Sequence, residues 1–212
     1  MNAESLTKAA AMTVPTLETL VAELAEEERW ALFREYATTV QRIEGRHLDH
    51  LLSLGNPWAF WDNTGAPGVG SIRTLAEGHF EFTKNGRSAV VLPVYDSETP
   101  AWAPLEQRFE GLLDLLAFDP ARPARWSLRR GQAILLGSIY VGLVLEEGCA
   151  LPLYSNPLSW LKADGEGVVI LNWEVAPSLL LDVTEFVVED VETGNRIKAA
   201  LTPAVWVKEA AA

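Results

Sequence analysis

Residues 167–201 read GVVILNWEVAPSLLLDVTEFVVEDVETGNRIKAAL. GVVILNW is a short continuous apolar run opened by a glycine, the pattern of a strand buried on both faces. A weak helical pattern follows around Ala176 to Leu181, then the strand-like EFVVED and the helix-like VETGNRIKAAL. Strand and helix in alternation predict an α/β layer with some parallel pairing. At the last strand-to-helix junction three acidic side chains crowd together, Glu189, Asp190 and Glu192. Two readings compete for them. Asp190 suits an N-cap, with Val191 at the first helical position and Glu192 placing negative charge at the positive end of the helix dipole. Alternatively the carboxylates hold a hard cation such as Mg²⁺, which prefers oxygen ligands.

Upstream, PLSWLKADG predicts a short helix with Asn156 as cap and Pro157 at its first position. AILLGSIYV and GLVLEEG read as two short strands, and GLLDLLAFDP as another that ends at Pro120. In HFEFTKNGRSAVVLPVYD, alternating Phe80 and Phe82, the pair Asn85-Gly86 and the run Ala89 to Tyr95 predict a β-hairpin. Apolar residues recur at spacings of three and four from Thr16 to Leu54, an amphipathic helix or helical hairpin. The stretch NPWAFWDNTGAPGVG reads as a linker. The expected organisation is α+β: a helical segment over 1–55, a linker over 56–78, and over 79–212 a hairpin-containing sheet leading into the α/β layer.

A chain of 212 residues, about half of them apolar, is long enough for a substantial core. Its formal charge of −12 opposes broad attraction to nucleic acid or an anionic membrane. Any nucleic-acid contact must be local, and the candidate is ARPARWSLRRG, where Arg122, Arg125, Arg129 and Arg130 surround Trp126 in what reads as a turn. The same arginines also suit a solvated surface paired with acidic neighbours. The single cysteine, Cys149, excludes an internal disulfide, fits a cytoplasmic setting and reads as a small buried residue. No apolar leader is visible at the start, and GQAILLGSIYVGLVL is too short for a membrane helix.

Several chemistries have no support. GAPGVG lacks the lysine and hydroxyl of a phosphate loop, and no G-x-S-x-G occurs. His47 and His50 with Glu44 form a lone Glu-x-x-His pattern, which fits a solvated helix face. What remains is acidic: Lys162 is the only Lys or Arg between Glu146 and Glu192. Strand-end carboxylates there could be neutralised by a cation.

The order GLVLEEG, helix, VVILNW, helix, FVVEDVETGNRIKAAL resembles the toprim fold of primases and topoisomerases, and SAVVLPVYD, LLDLLAFDP and WSLRRGQAILLG parallel segments that precede it in phage and plasmid primases. In that family one strand ends in Glu-Gly and a later one in Asp-x-Asp, followed shortly by a glycine and a helix. The resemblance spans roughly residues 88–201. It implies Glu147, next to Gly148, as catalytic acid or base, Asp190 as its partner, and Glu147, Glu189, Asp190 and Glu192 as metal ligands. The aspartate pair departs from the pattern. Counting back from Gly194 lands on Glu189 and Val191, while sliding by one gives Asp190 and Glu192 with the glycine one residue too close. The resemblance therefore implies a non-catalytic accessory or binding protein of a mobile-element replication system, with no cofactor or weakly bound Mg²⁺. The alternatives are an Mg²⁺-dependent nucleotidyl-transfer or nuclease-like enzyme and a structural or regulatory module. Partners expected are a protein on the apolar face of the N-terminal helix and nucleic acid at the arginines, with no membrane.

Overall fold

The structure is a computed structural model that describes residues 26–40, 67–100 and 103–202. The strands are Gly68–Thr74 (β1), Phe80–Phe82 (β2), Arg87–Tyr95 (β3), Leu112–Asp119 (β4), Arg122–Leu128 (β5), Leu135–Leu136 (β6), Leu151–Tyr154 (β7), Val168–Ile170 (β8) and Phe186–Val188 (β9). The helices are Glu26–Val40 (α1), Leu105–Glu110 (α2), Ile139–Glu147 (α3), Pro157–Lys162 (α4), Ala176–Leu179 (α5) and Val191–Leu201 (α6). Strands β1 to β5 form an antiparallel sheet in the order β2-β1-β3-β4-β5. The remaining four form a mixed sheet in the order β6-β8-β7-β9, in which β7 runs parallel to both β8 and β9. The class is α+β, as the sequence pattern predicts.

Period-two alternation explains how the first sheet is covered on both sides. Ala89 and Val91 of β3 join Leu112, Leu115 and Ala117 of β4 against Leu32 and Tyr36, one turn apart on α1. The alternate residues Val90, Leu92 and Val94, with Leu116 and Phe118, pack against Trp160 and Leu161 of α4 and Val169 of β8. Burial on both faces is why β3 reads as a nearly unbroken apolar run. The second sheet turns Leu151, Leu153, Val168 and Ile170 towards Val141 and Val144 of α3, Ala176 of α5 and Ile197 of α6. Its other face, through Val169, meets Trp160 and Leu161 of α4 and the first sheet, so crossover helices lie on both faces of its parallel part.

The expected hairpin is not one. Both β2 and β3 are antiparallel to β1, which lies between them, and Ile72 is paired with Phe82 on one side and Arg87 on the other. The chain must cross β1 at Gly86, where a Cβ would lie 2.3 Å from the Ile72 carbonyl oxygen. Glycine is needed there for close approach; neither Asn85 nor Gly86 has a positive φ. Residues 68–78, expected as linker, hold β1 and a 3₁₀ turn (Ala76–Gly78).

The arginine-rich stretch is also more regular than expected: Arg122–Leu128 pairs with β4 as an edge strand, and the turn lies earlier, where Asp119 Oδ1 accepts from the Ala121 N–H at 2.9 Å. GLVLEEG is helix rather than strand. A short apolar run does not distinguish the two by periodicity, and here α3 is closed by Gly148 at φ 66°, whose N–H donates to the Val144 carbonyl at 2.9 Å. Only Leu135–Leu136 of AILLGSIYV is strand. Cys149 is exposed, not buried. Glu44, His47, His50 and most of the 1–55 and 56–66 segments lie outside the described residues.

Candidate functional site

Strand order places one rim apart from the rest of the second sheet. From β7 the chain crosses through α4 to β8 on one side, then through α5 to β9 on the other. The loops leaving β7 and β9 therefore diverge, the arrangement in which open α/β sheets form a crevice at the carboxyl ends of their strands. Ser155 and Asn156 follow β7, and Glu189 and Asp190 follow β9.

These side chains bond to one another. Glu189 accepts from the Ser155 N–H at 3.0 Å and the Ser155 hydroxyl at 2.7 Å, and from the Ser159 hydroxyl on its other oxygen. Asn156 caps α4, accepting from the Ser159 N–H at 3.0 Å and donating to the hydroxyls of Ser155 and Ser159. Asp190 caps α6, accepting from the Thr193 N–H at 2.7 Å and its hydroxyl at 3.1 Å. The capping reading of the Glu189–Asp190–Glu192 junction is thus the one the geometry realises. Desolvation acts to raise the Glu189 carboxyl, but hydrogen bonds from Ser159 and Ser155 outweigh it and hold the group below the usual range. The Thr193 N–H, the largest influence, lowers Asp190.

Glu147 is not part of this rim. It ends α3, and the chain then enters β7 from its amino end, so a four-residue strand, roughly 13 Å long, lies between Glu147 and Ser155. Sequence reading placed Glu147 at a strand tip; the residue at that tip is Ser155. Among the described residues no group of three or more His, Cys, Asp or Glu side chains is arranged to hold a metal ion, so Glu147, Glu189, Asp190 and Glu192 are not brought together as a cage.

The arginines divide into two pairs. Arg129 meets Glu35 of α1 in a two-pronged ion pair, Nε to Oε2 and Nη2 to Oε1, both at 2.9 Å. Arg130 reaches the Glu28 carboxylate at 3.1 Å and the Glu28 carbonyl at 3.2 Å. Both therefore fasten α1 to the sheet. Arg122 and Arg125 stay exposed on β5, while Trp126 is half-buried against the core. The apolar face of α1, expected to carry protein contacts, is turned inward through Leu32 and Tyr36.

Sequence reasoning missed the residue that organises this corner. Asp114 is fully buried in β4 and accepts four backbone N–H groups: Leu115 at 2.8 Å and Arg130 at 2.9 Å on Oδ1, Gln132 at 2.9 Å and Ala133 at 3.4 Å on Oδ2. Burial raises its carboxyl, and the four donors pull the other way. One charged residue inside LLDLLAF was the available signal, since a carboxylate in an apolar strand needs partners. No described helix is long and apolar enough to cross a membrane. Comparison of the chain with protein-family models, with curated proteins and with solved structures gives no match.

Proposed function

We propose that this chain is a non-catalytic binding protein whose α/β half is related to the toprim layer of phage and plasmid primases, with the metal clamp replaced by a hydrogen-bonded lock. The observation that carries this reading is the engagement of Glu189 by Ser155 and Ser159, across two parallel strand tips at the switch point. In the toprim pattern both tips carry acids; here a serine follows β7, and its N–H and hydroxyl, with the Ser159 hydroxyl, take three of the roughly four acceptor positions of the acid that follows β9. A cation at this rim would compete with three donors and would find a single strand supplying carboxylates, which leaves phosphoryl transfer without its positioning charge. The partner-facing charge falls to Arg122 and Arg125 on the open edge of β5, suited to a short stretch of nucleic acid or an acidic protein.

Thermal melting against Mg²⁺, at constant ionic strength, tests the first half. No saturable rise is expected, and a rise that Glu189→Gln abolishes would overturn the reading. Retention on single-stranded DNA at low salt tests the second; Arg122→Ala with Arg125→Ala should release the protein, and unchanged retention would remove β5 as the contact.

A further inference from the structure

A second concavity lies far from the rim in sequence. A cavity of about 640 Å³ opens between α1 and the segment where the chain crosses from β2 to β3. Its size falls within the range of small-molecule sites. The charges around it are unusual for a protein of net charge −12. Arg34 contributes a guanidinium that, among the described residues, is engaged through Nε, donating to the Trp30 carbonyl at 3.3 Å. Lys84 is exposed and enters no ion pair among the described residues. The carboxylate in the wall, Glu35, is already neutralised by Arg129. Among the described lining residues the balance is two available cations and no unpaired anion, with Ser71 and Thr83 supplying neutral hydroxyls.

One wall is flat and fixed. The Phe82 ring borders the cavity, held edge-to-face by Phe80 with centroids 5.3 Å apart. Its Cε1–Cδ1 side lies close to Gly70, where a Cβ would stand 2.6 Å from Cε1. Glycine there lets the ring lie back against β1 instead of filling the cavity. An oxyanion head group would meet Arg34 and Lys84 while a planar body lies along Phe82.

We propose that this cavity binds a small phosphorylated molecule bearing a planar ring, of about nucleotide size. Isothermal titration of the whole chain with AMP, adenosine and inorganic phosphate tests it. AMP should bind, phosphate should bind more weakly, and adenosine more weakly still. Arg34→Gln and Lys84→Gln should each weaken AMP about tenfold, the loss of one charge-assisted contact. Ala31→Leu, which adds bulk to the wall without touching a charge, should block AMP while leaving the melting temperature near that of the parent. No heat with AMP at millimolar concentration, or an AMP affinity unchanged in the Arg34→Gln/Lys84→Gln double variant, would overturn the site. Adenosine binding as tightly as AMP would overturn the role of the cations, and phosphate binding as tightly as AMP would overturn that of the ring.

Discussion

Replacing Asp114 by Asn keeps the shape of the side chain and exchanges one oxygen for an NH₂ group. The carboxylate now serves two backbone donors on each oxygen, Leu115 and Arg130 on one, Gln132 and Ala133 on the other. Whichever way the amide is turned, one buried and one part-buried N–H group face a donor. Each buried donor left without an acceptor costs about 1–3 kcal/mol, and relief from burying a charge offsets part of that, leaving a loss of about 2–4 kcal/mol. For a chain of this length such a loss lowers the melting temperature by roughly 5–15 °C. The effect should also be directional. The backbone held by Asp114 is the one that presents Arg129 and Arg130 to Glu35 and Glu28, so amide exchange should quicken over residues 26–40 before it quickens in β7 or β8. Chemical denaturation followed by hydrogen exchange measures both. A variant within 1 kcal/mol of the parent, or protection of α1 left intact, would refute the idea that this carboxylate fastens the corner.

Three further outcomes are expected. In a double-mutant cycle on Glu35→Gln and Arg129→Gln, the coupling should be about 1 kcal/mol, since the pair is two-pronged yet about one-third exposed, and it should shrink in high salt; zero coupling would show that this ion pair does not fasten α1. Gly86→Ala should destabilise by about 2–4 kcal/mol because its Cβ would overlap the Ile72 backbone; a neutral result by urea denaturation would contradict the crossing of β1. Glu189 has a carboxyl depressed below its unfolded value, so it contributes stability above the ordinary glutamate range that is lost as pH falls through the folded value. Melting temperature against pH should therefore drop more steeply on the acid side in the parent than in Glu189→Gln, and parallel curves would deny Glu189 its serine partners.

Legibility in the sequence followed how local the controlling physics is. The Asp190 and Asn156 caps are settled within three residues of the helix start, and both are found as expected. The buried strand β8 announces itself through an apolar run after Gly167. What failed depends on distant chain. Phe80–Phe82 and Arg87–Tyr95 look like two arms of a hairpin until Gly68–Thr74 inserts between them, and nothing local to Asn85-Gly86 reveals that. Ile139–Glu147 has strand-like composition, and packing of Val141 and Val144 against the second sheet decides for helix. The same shift moves the rim: with α3 helical, the residue at the strand tip is Ser155 and not Glu147. Arg129 and Arg130 looked available for a ligand because their carboxylates, Glu35 and Glu28, lie about a hundred residues away in the chain.

The most direct test of the locked rim is paramagnetic broadening of backbone amide resonances by Mn²⁺, an ion that seeks the same oxygen ligands as Mg²⁺ and reports its position within the molecule. With Glu189 held by Ser155 and Ser159, and Asp190 held by Thr193, the amides of Ser155, Glu189 and Asp190 should broaden no more than those beside exposed carboxylates elsewhere. Their selective loss at micromolar Mn²⁺, restored by Glu189→Gln, would show a working metal site and contradict the non-catalytic reading.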